Sequence, residues 1–148
     1  MTKLAIREAS ENDLPAILHA YIEAGIDHGD SFTPEEARSP FAAFRDYPYY
    51  KVFLAEADGA VVGTYALIIL DNLAKRGAKS ALVESVAVLP DHQGEGVGRA
   101  MMEHAREQCR AAACYKMALS SNLNREAAHR FYDNLGFERH GYSFRITP

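Results

Sequence analysis

The amino-acid sequence predicts a single domain of the α/β class, with strands and helices mixed in an α+β arrangement. Strand and helix patterns alternate along the whole chain without a linker, repeat or low-complexity tract. A chain of 148 residues buries roughly 68–70% of its unfolded surface, which is enough for one hydrophobic core and too little for two. We therefore expect residues 1–148 to form one domain.

The first third of the chain predicts a strand followed by helices. Residues 3–8 have the composition of a strand. Ser10 and Asp13 resemble a capping box, and apolar residues follow them at helical spacing. A second helix-start signal surrounds Pro34, and Pro40 predicts a break that divides this segment into two short helices.

The middle of the chain predicts three strands. Residues 51–57 and 60–70 are rich in β-forming residues and are joined by Asp58-Gly59, a strong signal for a hairpin turn. A polar loop then leads to an apolar strand at 81–88.

The last third predicts a helix, a short strand, a second helix and a final strand. Apolar residues from Val97 onward lie on one helical face, and residues 115–119 follow as a strand. The next helix covers roughly 125–135. The final strand is predicted by the alternation of apolar with polar residues, the apolar ones being Tyr142, Phe144 and Ile146.

Composition excludes several classes of protein. The net charge of −4 and the scattered basic residues argue against a nucleic-acid partner. No apolar run approaches the roughly 20 residues of a membrane-spanning helix, and the N-terminus lacks the apolar core of a signal peptide. We therefore expect a cytoplasmic protein without a membrane partner.

The cysteines and histidines predict no metal site. Cys109 and Cys114 are five residues apart and far from any cluster with zinc spacing, and the six histidines show no metal-binding pair. We expect both cysteines to be small buried hydrophobes in a reducing compartment.

A glycine-rich loop at residues 93–98 is the most informative segment, because it joins an apolar strand to the start of a helix. Glycines allow the backbone N–H groups to converge on one anion, and the helix start adds its unpaired N–H groups. A dinucleotide fingerprint would need glycine where Arg99 stands, and a P-loop would need lysine there. The loop therefore predicts a phosphate site of another type.

Two segments carry a resemblance to a known family. Gln93-x-x-Gly96-x-Gly98 after a strand resembles the acyl-CoA motif of the GNAT N-acetyltransferase superfamily. The segment Ala128–Phe137 resembles the A-x-x-F-Y-x-x-x-G-F segment of the same family, and the predicted element order is similar throughout. The resemblance implies the acyl-CoA N-acyltransferase fold, a mixed sheet of about six to seven strands flanked by about four helices.

The resemblance also implies an activity. It predicts an acetyl-CoA-dependent N-acetyltransferase, an acyltransferase that moves acetyl to the primary amine of a small molecule by direct attack in a ternary complex. It implies no metal cofactor. A non-catalytic acyl-CoA-binding or sensing module of the same fold is the alternative, and a homodimer is the expected assembly.

The resemblance assigns acetyl-CoA binding to three groups of residues. The strand before the loop bulges and splays in the family, so that its backbone pairs with the pantetheine arm. The asparagine that the family often has seven residues before its tyrosine is replaced here by Arg125, with Asn122 and Asn124 nearby. The predicted acetyl-CoA-binding residues are Val86, Ala87, Val88, Gln93, Gly94, Glu95, Gly96, Val97, Gly98, Arg99, Asn124 and Arg125.

Two residues are predicted to be catalytic. Glu84 lies inside an apolar run, where burial would raise its pKa and suit it to accept a proton from an ammonium group. The alternative is a structural carboxylate. Tyr132 occupies the position at which the family has the proton donor to the coenzyme A thiolate, and the alternative is an aromatic residue of the core. His129 on the same helix is interpreted as a packing or cofactor-adjacent residue.

The acceptor amine stays open at the level of sequence. Residues 83–98 are similar to glucosamine-6-phosphate N-acetyltransferases, whereas residues 120–132 are closer to aminoalkylphosphonate N-acetyltransferases. Asp27 and Asp30 could hold a cationic amine, and the 71–79 loop could hold a phosphorylated one through its basic residues. The other candidate specificity residues are His28, Tyr47, Tyr49, Tyr50, Lys75, Arg76 and Lys79.

Overall fold

The computed structural model describes residues 3–148 of the chain. The chain divides into two compact units, the first ending at Ala118 and the second beginning at Leu119. Because of this division, the expectation of one domain over 1–148 stays a prediction.

The first unit begins with strand β1 (Leu4–Glu8), a short 3-10 turn and helix α1 (Leu14–Glu23). The capping box is present, since the backbone N–H of Ser10 donates to the Asp13 carboxylate at 2.7 Å. This bond satisfies a donor that the helix start leaves unpaired, so α1 begins where the sequence predicts.

Helix α2 (Pro34–Ala43) corrects the prediction of a break at Pro40. Thr33 caps the helix by accepting a hydrogen bond from the backbone of Glu36 at 3.3 Å. The helix then continues through Pro40 and ends in a 3-10 turn. Pro40 removes only the bond to the Glu36 carbonyl, and both residues are exposed, so water can satisfy that carbonyl.

The central sheet has five strands in sequence order. The first three pairings are antiparallel, and the last one is parallel. At the β2–β3 turn, Asp58 and Gly59 both have positive φ, as a two-residue hairpin with matching twist requires. Five strands are one or two fewer than expected, within the same fold class. The remaining strands are β2 (Tyr50–Ala57), β3 (Ala60–Leu70), β4 (Lys79–Val88) and β5 (Cys114–Ala118).

Helices cover the two faces of this sheet. On one face, α1 and α2 enclose a core cluster of Leu14, Ile17, Leu18, Ala37, Val52, Leu54 and Ala66. On the other face, α3 (Val97–Ala111) buries its apolar stripe. His104 of α3 packs edge-on against Phe53, and its Nδ1 lies 2.8 Å from the Tyr65 hydroxyl. Burial lowers the pKa of His104.

Gly63 of β3 sets how closely α3 approaches the sheet. A Cβ at this position would lie 3.0 Å from Val97, 3.1 Å from the Ala87 carbonyl and 3.2 Å from Met101. Such contacts are tighter than most that real side chains make, and the neighbours would have to shift by a few tenths of an ångström. The absence of a side chain here thus lets the first turn of α3 lie directly on the strands.

The second unit contains helix α4 (Glu126–Asn134). The helix ends at Gly136, whose φ of +90° is the left-handed conformation of a C-terminal stop. The Tyr132 ring packs edge-on between its neighbours, with centroids 5.1 Å from Phe131 and 5.4 Å from Phe137. Asp133 pairs with Arg139 at 2.8 Å.

The predicted final strand is not formed. Residues 137–148 have no regular secondary structure, and Tyr142 and Phe144 are 89% and 92% exposed. Apolar alternation shows that a segment can bury one face of a strand, but a strand also needs a neighbour to receive its backbone hydrogen bonds. In the described part of the chain this segment pairs with no strand.

Candidate functional site

Strand β4 changes its pairing halfway along its length. Its first residues pair with β5, but this pairing ends at Leu82. On the other side, Tyr65 of β3 faces both Ser85 and Val86, which is a β-bulge, and Ser85 has a φ of +52°. Among the described residues, β4 from Val83 to Val88 therefore has no partner on its β5 side, and its backbone groups are free to bind an extended ligand.

The glycine loop follows directly from this strand. Gly94 and Gly96 have φ values of +82° and +86°, and an added Cβ at either position would meet open space. Gly96 is the N-cap of α3, and the first backbone bond of the helix runs from Ala100 to the Gly96 carbonyl at 3.0 Å. The N–H groups of the first turn thus point out of the helix toward this space, where an anion is favoured.

One backbone hydrogen bond and two side-chain pairs lie in and around the glycine loop. The backbone N–H of Leu89 donates to the Val62 carbonyl at 2.9 Å. His92 pairs with Glu95 at 2.9 Å across the loop. Arg99 is exposed and lies 3.9 Å from Glu103, a contact weak enough to be exchanged for one with a phosphate.

The loop and the free strand together fit an acyl-CoA. The helix start and the glycines offer N–H groups to a pyrophosphate, while the free edge of β4 offers N–H and C=O groups to the amides of an extended arm. All the residues from Val86 to Arg99 that the sequence predicts as cofactor ligands lie on this continuous segment.

Glu84 lies on β4 beside the bulge, but it is exposed rather than buried. The expectation that Glu84 is buried is therefore wrong. The reason is the alternation of the strand: Ala81 and Val83 point into the core against α3, while Leu82 and Glu84 point to the other face, where the helical cover ends.

Two tyrosine side chains, Tyr21 and Tyr50, lie near the face of β4 that carries Glu84. The Tyr21 hydroxyl lies beside Ser85, and burial raises its pKa to about 12. Burial also raises the pKa of Tyr50, and the charge of Glu84 adds to this effect. The Tyr50 ring is stacked on Phe44 with centroids 3.8 Å apart.

Tyr132 belongs to the second unit, within α4. Burial raises its pKa, and the charge of Arg125 opposes this effect. Its hydroxyl is therefore protonated near neutral pH and can serve as a proton donor.

The segment before α4 is held by its own hydrogen bonds. The Asn122 side chain accepts from the backbone of Asn124 at 3.0 Å, and His129 Nε2 lies 2.8 Å from the Asn122 carbonyl. Arg125 is the N-cap residue of α4. His129 thus fastens the loop to the helix, in agreement with a packing role.

Sequence reasoning did not single out Tyr21 or Ser85 as site residues. Tyr21 stands at helical spacing among the apolar residues of α1, and its ring packs against the core cluster. A polar pair, Glu84-Ser85, inside an otherwise apolar strand was the available signal for a bulge at this position.

The described residues form neither a metal cluster nor a membrane-spanning helix. Among residues 3–148, no group of three or more His, Cys, Asp or Glu side chains is placed to hold a metal ion. None of the described helices combines the length and the apolar composition needed to cross a membrane. Cys109 is buried as expected, whereas Cys114 is only partly buried, and both are free thiols.

The chain is similar to known acetyltransferases. Glucosamine 6-phosphate N-acetyltransferase of Trypanosoma brucei brucei is 33% identical over 96 residues, which are 65% of this chain and 63% of that protein. Aminoalkylphosphonate N-acetyltransferase of Salmonella typhimurium is 33% identical over 107 residues, 72% of this chain and 69% of that protein. The matched segment thus spans less than two thirds of the trypanosomal relative.

A solved structure shows the same fold. The crystal structure of an acetyltransferase from Trypanosoma brucei has a TM-score of 0.85 and 25% identity, and the match covers 99% of this chain and 100% of that one. A family model described as the acetyltransferase (GNAT) family matches residues 21–137. The chain therefore belongs to the acetyltransferase (GNAT) family, and the predicted class of enzyme, an acetyl-CoA-dependent N-acetyltransferase, is confirmed.

Proposed function

We propose that this N-acetyltransferase moves acetyl from acetyl-CoA to the primary amine of a small molecule by direct attack in a ternary complex. The observation that carries the proposal is the free edge of β4 from Val83 to Val88, which leads without a break into the open glycine loop. One strand thus offers both a place for an extended acyl donor and, at Glu84, a carboxylate beside it.

Binding of the donor is assigned to this segment. Gly94, Gly96 and the first turn of α3 would hold the pyrophosphate, with Arg99 as a charged partner. The backbone of Val86, Ala87 and Val88 would pair with the pantetheine arm, and one of their N–H groups would face the thioester oxygen. Acetyl-CoA supplies the activated acetyl group. The remaining residues of this assignment are Gln93, Glu95, Val97, Gly98, Asn124 and Arg125.

Glu84 is proposed as the general base. The amine reaches the enzyme as an ammonium ion, and it becomes a nucleophile only when Glu84 accepts a proton, directly or through water. The exposed position of Glu84 on the open face of β4 supports this role, because a substrate can reach the carboxylate. As the new C–N bond forms, the C–S bond breaks and the thiolate leaves.

Tyr132 is proposed as the acid that returns a proton to this thiolate. The assignment is supported by its position in the sequence segment that resembles the family's, and by a hydroxyl that has a proton to give at neutral pH. The nitrogen gives up a second proton as the amide forms, and this proton passes to the ionised Tyr132. The balance then closes with a neutral thiol, a neutral Tyr132 and a protonated Glu84, which loses its proton to solvent.

The proposal also covers the compartment, the partners and the assembly of the enzyme. We place it in the cytoplasm, with a small-molecule acceptor, no nucleic acid and no membrane as partners. The free thiols of Cys109 and Cys114 support a reducing compartment. We also propose a homodimer.

The experiment that tests the proposal measures release of the coenzyme A thiol in the presence of a panel of primary amines, with mass spectrometry of the products. We expect thiol release that depends on the amine, together with an N-acetylated product. Binding of acetyl-CoA with no amine-dependent release from any acceptor would instead assign the chain to the non-catalytic acyl-CoA-binding alternative.

A further inference from the structure

The chain has two cysteines, and both lie at the end of helix α3. Cys109 is the third residue from the end of the helix, and Cys114 is the first residue of β5. Cys109 belongs to the buried stripe of α3 and is 5% exposed, whereas Cys114 is only partly buried. The acetyl transfer proposed above uses neither thiol, so their proximity in the chain calls for another explanation.

The turn between α3 and β5 has the geometry of a Schellman cap. Ala112 is the C-cap residue, and Ala113 follows it with a φ of +60°. The backbone N–H of Ala113 donates to the Arg110 carbonyl at 3.0 Å, which is one of the hydrogen bonds that define this cap. In such a cap the third residue before the C-cap contacts the second residue after it. These two positions are Cys109 and Cys114.

Helix α4 shows the same contact at its own end. The backbone N–H of Gly136 donates to the Asp133 carbonyl at 3.0 Å, and that of Phe137 donates to the Tyr132 carbonyl at 3.0 Å. Tyr132 and Phe137 therefore occupy the positions that the two cysteines take at the end of α3. Their rings are in contact, with centroids 5.4 Å apart. The cap thus brings side chains at these two positions together in this protein.

The properties of the thiols agree with this contact. Burial raises the pKa of Cys109 to about 12, and the Cys114 thiol adds to the rise, in part through a hydrogen bond between the two side chains. A disulfide needs β-carbons about 3.5–4.5 Å apart. Two thiols in contact across a tight turn can meet this condition by rotation of their side chains, without movement of the backbone.

The cap of α3 also lacks the residue that such a cap favours. Ala113 has a left-handed φ, whereas Gly25 and Gly136 take the equivalent positions after α1 and α4. A Cβ makes this conformation less favourable than it is for glycine. A covalent bond across the turn would restrict the unfolded chain and hold the cap in its folded form. Oxidation of the two thiols should therefore stabilise this end of the helix.

We propose that Cys109 and Cys114 form a redox-sensitive dithiol site, in which hydrogen peroxide converts the two thiols into a disulfide across the end of α3. The thiolate of Cys114 attacks one peroxide oxygen, the O–O bond breaks, and Cys114 becomes a sulfenic acid. The Cys109 sulfur then attacks the Cys114 sulfur, so that the S–S bond forms and the S–O bond breaks. The two thiols lose two electrons and two protons, and hydrogen peroxide is reduced to two molecules of water.

The order of the two steps follows from access. Peroxide can reach the partly exposed Cys114, whereas the Cys109 thiol is buried and keeps its proton because its pKa is raised. Cys109 therefore acts on the sulfenic acid beside it, where proximity favours the reaction. In a reducing compartment the dithiol is the resting form, and the disulfide is transient.

The test treats the reduced protein with a small excess of hydrogen peroxide and counts its free thiols after unfolding. We expect the count to fall from two to zero and the mass to fall by that of two hydrogen atoms. Trypsin should then release residues 107–110 joined to residues 111–116, and dithiothreitol should restore both thiols. Two free thiols after treatment, a disulfide between two chains, or further oxidation of Cys114 without a disulfide would overturn the proposal.

Single variants separate the roles of the two thiols. In Cys109→Ala, dimedone should label a sulfenic acid at Cys114 that lasts at least about tenfold longer than in the wild type, because the neighbouring thiol is gone. In Cys114→Ala, the buried Cys109 should stay reduced under the same treatment. This second variant changes a partly exposed position, so it keeps the test valid if Cys109→Ala does not fold. Oxidation of Cys109 at the wild-type rate in Cys114→Ala would contradict the assigned order.

Thermal unfolding tests the consequence for the cap. The oxidised wild type should melt at a higher temperature than the reduced wild type, because the disulfide holds the turn. Cys114→Ala is the control, and its melting temperature should not change with the same treatment. A disulfide form that melts at a lower temperature than the dithiol form would show that the bond distorts the cap, and it would contradict the inferred contact.

Discussion

Glu84 shows how the open face of a strand places a carboxylate where a substrate can reach it. The residue follows Val83, which is buried against α3, and precedes Ser85, which turns the chain into the bulge. The bulge ends the regular alternation of β4 at this point. The chemistry assigned to Glu84 therefore depends on its position on the free edge of β4 and on the nearby Tyr50.

Glu84→Gln should lower kcat/KM at neutral pH by about 10²–10³-fold, as expected for loss of a general base. Much of this loss should recede at high pH, because the amine then loses its proton to solvent. Rate profiles against pH for the wild type and the variant test this, with Glu138→Gln in the second unit as a control. Parallel profiles with a small offset would identify Glu84 as a structural carboxylate.

Tyr132→Phe should lower kcat by about tenfold or more, and it should leave the affinity for acetyl-CoA nearly unchanged. The ring keeps its packing against Phe131 and Phe137, so only the proton donor is lost. The measurement is kcat beside the melting temperature, with the exposed Tyr142→Phe as a control. Normal turnover with a lowered melting temperature would assign Tyr132 to packing alone.

Charged side chains stabilise the start of α1. Asp13 accepts two hydrogen bonds from Arg7, both at 2.8 Å, and one from the Ser10 backbone. Arg7 also contacts Glu56 of β2. Hydrogen bonds from Arg7 are the main cause that lowers the pKa of Asp13 to about 2. The network thus joins the start of the helix to the edge of the sheet.

Asp13→Asn should lower the free energy of unfolding at pH 7 by about 1 kcal/mol, the usual effect of losing a helix cap. Because the pKa of Asp13 is lowered in the folded state, its stabilisation is present above the unfolded pKa and disappears as the pH falls toward about 2. Urea unfolding at pH 7, 4 and 2.5 should therefore show the difference between wild type and variant shrinking. A difference that stays constant with pH would contradict the assigned role.

At the scale of the molecule, local signals in the sequence predict the elements well, and long-range contacts explain the errors. Asp58-Gly59 and the Ser10–Asp13 box act within a few residues, and both are confirmed. The tail containing Phe144 needed a neighbouring strand, which no local pattern can supply.

The same distinction applies to the site. The sequence alone predicts a phosphate site at Gly94 and Gly96, because glycine spacing is a local property of the chain. The exposure of Glu84 and the nearness of Tyr21 to Ser85 depend on where α1 crosses the sheet, so the sequence could not predict them.

Binding of acetyl-CoA should stabilise the whole fold, because a ligand that binds only the native state adds on the order of 2.7 kcal/mol at a hundredfold excess over Kd. Gly96→Val should remove this effect, since its side chain would occupy the open space of the loop. Gly29→Val is the matched control: Gly29 also has positive φ and open space, but it lies in the α1–α2 connection. Thermal unfolding with and without acetyl-CoA tests both variants, and no shift in the wild type would contradict the binding assignment.

Gly63 links the precision of the donor site to a residue that no ligand touches. The contacts that an added Cβ would make, with Val97 and with the Ala87 carbonyl, join the first turn of α3 to β4, the strand proposed to bind the acyl arm. A single methyl group there would move these two surfaces apart by a few tenths of an ångström. For the proposed donor site, position 63 is therefore expected to change the affinity for coenzyme A from the interior of the protein, while every residue assigned to ligand binding stays the same.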